Sequence, residues 1–178
     1  MKLNKLLAGL AVAASLVSGA ASASIQDLTT WNTFTGINGS VSASPSSASM
    51  SGTAGIYKNF SLAAGTPFSF DWLFQAGDYL PFNDFASVFV DGNLNFVLSN
   101  VAAVGNFGSS GPQFYSTLLT NPVNGNITFS VSNALDNNLN STLTVANVNI
   151  PEPDMLLLMA TALGLIGVAS RRKSKQAV

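Results

Sequence analysis

Apolar and polar residues alternate one for one in several short stretches of this chain, and between residues 24 and 150 no stretch repeats at helical spacing. In residues 67–74, Phe68, Phe70, Trp72 and Phe74 fall on one side, and Ser69, Asp71 and Leu73 fall on the other. A period of two is the period of a strand, so this segment predicts a strand with one buried aromatic face. Residues 85–90 predict a second strand. Asp91-Gly92 then signals a tight hairpin, because the favoured two-residue turn needs positive φ at both central positions. Residues 94–98 return with Leu94, Phe96 and Leu98 on one face. Residues 127–132 and 142–150 predict two more strands, with Asp136-Asn137-Asn138 as the turn residues between them. Residues 56–62 predict an earlier strand, and residues 31–34 another. Residues 38–55 are small, polar and low in complexity, and read as a flexible loop or irregular edge. Short strands at this spacing predict an all-β, antiparallel, jelly-roll-like β-sandwich. The 127 residues from 24 to 150 are enough for one such core.

Only the two ends of the chain break this pattern with continuous apolar runs. Lys2 and Lys5 precede an apolar stretch at 6–17, and Ala21-Ser22-Ala23 follows it. A basic start, a short apolar core and an A-x-A site form a signal peptide, cut by signal peptidase to leave Ser24 first. At the other end, Pro151-Glu152-Pro153 leads into an apolar run at 155–169, closed by Arg171, Arg172, Lys173 and Lys175. As a helix the run would rise about 22 Å. That is short of a hydrocarbon core of about 30 Å, a gap that snorkelling cations and local thinning cover. The basic cluster should stay cytoplasmic. The expected organisation is a signal peptide at 1–23, an exported domain at 24–150 and a C-terminal segment with a short transmembrane helix at 151–178.

Pro151, Glu152 and Pro153, the apolar helix and the cluster Arg171, Arg172, Lys173 resemble the PEP-CTERM sorting signal of Gram-negative bacteria. The resemblance covers the last 28 residues. It implies processing by an integral-membrane, transpeptidase-like exosortase. It also implies delivery to the cell surface or extracellular matrix, from a transient or permanent inner-membrane anchor, and a link to exopolysaccharide and biofilm. Independently of the family, two prolines hold a backbone extended and remove its hydrogen-bond donors, which suits capture by a protease-like site. A plain anchor that is never cut is the alternative.

Composition sharpens this picture. The net charge is −1, with 8% of residues charged, against about 25% in ordinary soluble domains. The near-neutral total conceals an acidic middle: residues 24–150 hold Lys58 against six Asp, giving −5, between two basic ends. Seven Lys and Arg in the whole chain exclude a nucleic-acid binder. With no Cys and no His, thiol and histidine catalysis, the usual zinc sites, lipoprotein acylation and disulfides are excluded.

The densest polar cluster runs from Asp71 to Asp91, and this stretch resembles one recurring in secreted bacterial β-sandwich and adhesin-like proteins. Asp71, Asp78, Asn83, Asp84 and Asp91 are candidate Ca²⁺ ligands, since calcium takes six to eight oxygens and an exported domain meets it outside the cell. The competing reading is that Asp78, Asn83 and Asp84 make turns and cap loop backbone. Trp31, Tyr57, Trp72, Tyr79 and Tyr115 are candidates for sugar stacking, with Tyr79 the favoured glycan contact and Trp72 assigned to the core. Paired carboxylates for glycoside hydrolysis would have to come from Asp alone, because no Glu precedes Glu152. The leading expectation is therefore a non-enzymatic structural or adhesive surface protein. A carbohydrate-binding module, with or without a calcium requirement, is the alternative, and a small secreted hydrolase comes last.

Overall fold

The computed structural model describes residues 24–151, and these form two five-stranded antiparallel sheets packed face to face. The strands are β1 (Asn32–Thr35), β2 (Ser40–Ala43), β3 (Ser47–Ser51), β4 (Ala54–Asn59), β5 (Pro67–Gln75), β6 (Phe85–Val90), β7 (Asn93–Asn100), β8 (Gln113–Leu118), β9 (Asn126–Ser132) and β10 (Thr142–Asn149). One sheet has the order β1-β4-β9-β6-β7 and the other β2-β3-β10-β5-β8. β6 pairs with β7, β5 with β8, β4 with β9 and β3 with β10. The described residues thus form one long hairpin rolled into two sheets, with β6–β7 at its tip. This is the jelly-roll order, with β1 and β2 added at the rims.

The core follows from the period-two pattern. Phe68, Phe70 and Phe74 of β5 point inward and meet Ile127, Phe129 and Val131 of β9. Phe129 lies edge-on to Phe70 at 4.8 Å between ring centroids, and within 5.8 Å of Trp31 and 6.3 Å of Phe68. Trp31, expected as a strand residue and a possible sugar platform, sits just before β1 and is buried against Phe60 and Phe129. Trp72 is half-buried against the core, as its period requires.

Three local expectations are corrected. Residues 38–55 are not a flexible loop: they supply β2, β3 and the start of β4, and β3 is hydrogen-bonded on both sides. Met50 and Ala48 are 0% and 1% exposed, while Ser47, Ser49 and Ser51 alternate with them. The period of two is there, but its buried members are small. Residues 56–62 do not run as one strand. β4 ends at Asn59, and Phe60 and Leu62 instead bond through their N–H groups to the carbonyls of Gly125 and Val123. β8 has no counterpart among the expected strands.

Register explains how a domain with so few charges is solvated. On the outer face of the second sheet, Ser42, Ser49 and Thr144 stand opposite one another on neighbouring strands. Ser40, Ser51 and Thr142 do the same. Hydroxyls take the place that Lys and Glu usually fill.

The Asp91-Gly92 turn forms as expected. Val90 pairs with Asn93, and Asp91 and Gly92 have φ of 51° and 75°. The two ends of the described segment meet: Gln26 Nε2 donates to the Ile150 carbonyl at 3.0 Å, and Ile25 bridges Asn149. Nearby, Asp27 caps a 3-10 turn at Leu28–Thr30. The Thr29 hydroxyl and amide donate to the Asp27 carboxyl and hold it below its ordinary value of 3.8. A lowered carboxylate stabilises the fold above that value and loses the contribution as pH falls through the lowered one. The signal-peptide and sorting-helix expectations, with Ala21, Ala23, Glu152, Pro153, Arg171, Arg172 and Lys173, lie outside the described residues.

Candidate functional site

The structure divides the five candidate calcium ligands among three places. Asp78, Asn83 and Asp84 share the β5–β6 loop at one end of the sandwich. Asp71 stands on the outer face of β5, opposite in facing to its aromatic neighbours, and its Oδ2 accepts from Asn147 Nδ2 at 2.7 Å. Asp91 lies beyond the far end of β6, roughly 20 Å from Asp84 at about 3.4 Å per strand residue. No ion can therefore draw on both Asp84 and Asp91. Among the described residues no three His, Cys, Asp or Glu side chains gather in a way that would hold a metal.

The β5–β6 loop carboxylates tie backbone together. Asp84 is 0% exposed. Its Oδ1 accepts from the Ala134 N–H and its Oδ2 from the Ser141 hydroxyl, both at 2.8 Å. Its carbonyl accepts from Val101 N at 3.0 Å, at the start of the short helix Val101–Val104. One residue thus joins three connections: β5–β6, β7–β8 and β9–β10. Asn83 Oδ1 accepts from the Ala102 N–H at 2.8 Å, and Asp78 Oδ1 accepts from the Tyr79 N–H at 2.8 Å. Tyr79 is 41% exposed and packs edge-on against Phe82 at 5.4 Å and tilted against Phe107 at 5.9 Å. It closes the loop onto its neighbour as well as showing a ring to solvent.

A concave site lies at the opposite end. β7 and β8 are rim strands of different sheets, and they face each other where the Phe96 and Tyr115 rings stack at 4.5 Å and 26°. Beside this stack a cleft of about 520 Å³ opens. The β6–β7 hairpin lines it with Val90, Asp91, Asn93 and Asn95, and β8 with Tyr115, Thr117 and Leu118. The connection from Leu119 to Val123 closes it, contributing Thr120, Asn121 and Pro122. The volume lies within the range of small-ligand sites, and the lining mixes an aromatic wall with amides and hydroxyls.

The cleft is held by its frame rather than by its polar groups. Tyr115 also packs on Phe70 at 5.1 Å, which fixes the ring from behind. The turn fixes Asp91, whose Oδ2 accepts a long bond from the Asn124 N–H at 3.4 Å. Gly125 gives the carboxylate its place: a Cβ there would stand 2.7 Å from Asp91 Oδ1 and push the side chain aside. The side-chain amides of Asn95 and Asn121 take no partner among the described residues, which leaves their donors and acceptors for a ligand. Asp91 is the one carboxylate in the lining, so the cleft holds no pair for glycoside hydrolysis.

Of the cleft residues, sequence reasoning singled out Asp91, for calcium, and Tyr115, as one of five possible platform aromatics. It missed Asn93, Asn95, Thr117 and Asn121. No local signal marks them, because they converge only through the β6–β7 and β5–β8 pairings.

No protein-family model matches the chain, and no curated protein matches it. Solved structures with a similar arrangement include the M60 catalytic domain with the CBM51-1 and CBM51-2 domains from Clostridium perfringens ZmpB, at 10% identity and a TM-score of 0.46. They include the N-terminal cellulose-binding domain of β-1,4-glucanase C from Cellulomonas fimi, at 13% identity over 72% of this chain and 92% of that one, TM-score 0.40. A third is the K3 cleaved adhesin domain of Lys-gingipain from Porphyromonas gingivalis w83, at 13% identity over 68% and 91%, TM-score 0.42. The first match covers 73% of this chain but 15% of the ZmpB structure, and two further ZmpB structures are covered to 30%. With these TM-scores below 0.5, the reading of the cleft rests on its own residues.

Proposed function

We propose that the described domain is a non-catalytic carbohydrate-binding module that attaches the exported protein to extracellular polysaccharide through the cleft between β7 and β8. One observation carries the reading: the uncommitted amides of Asn95 and Asn121 converge with the Asp91 carboxylate and the Thr117 hydroxyl on one cleft, beside the edge of a Tyr115 ring whose faces are held by Phe96 and Phe70. A sugar carries many hydroxyls, each both donor and acceptor, and these exchange hydrogen bonds with amides, hydroxyls and a carboxylate. This favours the carbohydrate-binding reading over a purely structural one, and adhesion to a matrix is its consequence.

The expected behaviour is retention of the full-length chain, in detergent, on at least one of several immobilised neutral polysaccharides. The double substitution Asn95→Ala and Asn121→Ala removes two ligand hydrogen bonds of roughly 1 kcal/mol each, so affinity should fall about tenfold or more. Both residues are exposed, so the melting temperature should hold. Chelator should leave retention unchanged, because calcium has no part in this proposal. Equal retention of the variant and the parent would contradict the cleft.

The route to the surface is proposed on the sequence order alone. Signal peptidase cuts before Ser24, and an exosortase-like enzyme of a Gram-negative inner membrane acts at Pro151-Glu152-Pro153. Replacing the triplet by three alanines should leave full-length protein in the inner membrane. A trimmed chain outside the cell despite that change would show that the triplet is not the signal.

A further inference from the structure

We propose, building on the carbohydrate reading of the cleft, that its ligand is a glycan without carboxylate groups and that Asp91 sets this selectivity. The hairpin does not need the charge of Asp91. Its turn asks for two residues at positive φ, and Asn-Gly meets that demand at least as well as Asp-Gly. The bond from the Asn124 N–H is long, and an amide oxygen would accept it equally. The turn nevertheless presents an ionisable carboxylate at the cleft wall, and Gly125 leaves it room.

No cation lines the cleft. The one basic residue between 24 and 150, Lys58, lies on β4, bonded to Gln26 Oε1 at 3.0 Å and over the Phe60 ring. A neutral sugar hydroxyl donates to Asp91 in a charge-assisted bond, stronger than one to an amide. A uronate finds a like charge and no counter-charge, and like-charge juxtaposition discriminates against wrong partners. Asp91 is thus a specificity residue of the site.

The test compares the affinity of the full-length chain in detergent for a panel of neutral polysaccharides and for a polyuronate of matched length. At low salt the parent should hold its best neutral ligand at least tenfold more tightly than the polyuronate. The gap should narrow at 1 M salt, where the screening length falls to about 3 Å. Asp91→Asn should cut the low-salt ratio at least fivefold with no change in melting temperature. Asp136→Asn removes the same net charge at the opposite end, where Asp136 caps the Asn138 N–H, and should leave the ratio as it was. Equal affinity of the parent for both polymers would overturn the proposal. So would an unchanged ratio in Asp91→Asn, or the same change in Asp136→Asn. Retention of no polymer by the parent or by Asp91→Asn would overturn the carbohydrate reading itself, and this inference with it.

Discussion

Phe129→Ala is expected to destabilise the sandwich by about 3–5 kcal/mol, the usual cost of emptying an aromatic site in a well-packed core. Phe129 is fully buried on β9, the middle strand of its sheet, and its ring meets Trp31, Phe68 and Phe70. Phe68 and Phe70 belong to the opposite sheet, so the cavity would open between the two layers. A domain of this size has about 5–15 kcal/mol of total stability, so the variant should be partly unfolded at growth temperature or melt more than 10 °C lower. Phe114→Ala supplies the contrast. Phe114 is 68% exposed on rim strand β8, and its loss should stay within about 0.5 kcal/mol. Thermal denaturation followed by circular dichroism separates the two, and equal effects would mean that the sheets do not pack through Phe129.

Asp84→Ala should cost about 2–4 kcal/mol for a different reason. Its two oxygens satisfy the Ala134 N–H and the buried Ser141 hydroxyl, and a donor left without its partner costs about 1–3 kcal/mol, less where it is only half-buried. Removing the acceptor leaves the buried Ser141 hydroxyl and the half-buried Ala134 N–H without this partner. Asp84→Asn keeps one acceptor and should cost less. The same measurement separates loop-tying from ion binding. If Asp84 acts on these two donors alone, the parent melts at the same temperature with and without chelator, and Asp84→Ala loses its stability in both conditions. A melting point that falls with chelator in the parent, and no longer does so in Asp84→Ala, would place a cation at this loop.

The sequence was legible where side-chain size made the period visible. Phe68, Phe70 and Phe74 announce β5, and Asp91-Gly92 announces its hairpin, because bulky alternation and positive-φ residues admit few other structures. β3 obeys the same period, but with Ala48 and Met50 as its buried members among serines, and such a run looks like a linker. β8 was missed because a rim strand exposes both edges of its pattern: Phe114 and Leu118 face water while Tyr115 turns inward. The acidic cluster left two readings open for a related reason. A short carboxylate looks the same in sequence whether it receives a cation or two backbone donors, and Asp84 receives donors. Asn95, Tyr115 and Asn121 are individually ordinary, and only the rolling of the hairpin brings β7, β8 and the following connection around one cleft.

Amide hydrogen exchange of the full-length chain, with and without a soluble oligosaccharide of the best retained neutral polymer, tests the central claim most directly. Bound sugar should slow exchange along β7, along β8 and through residues 119–125, and should leave the β5–β6 loop around Asp84 unchanged. Protection centred on residues 76–84 and 101–112, or none at saturating sugar, would contradict the assignment of the cleft as the binding site.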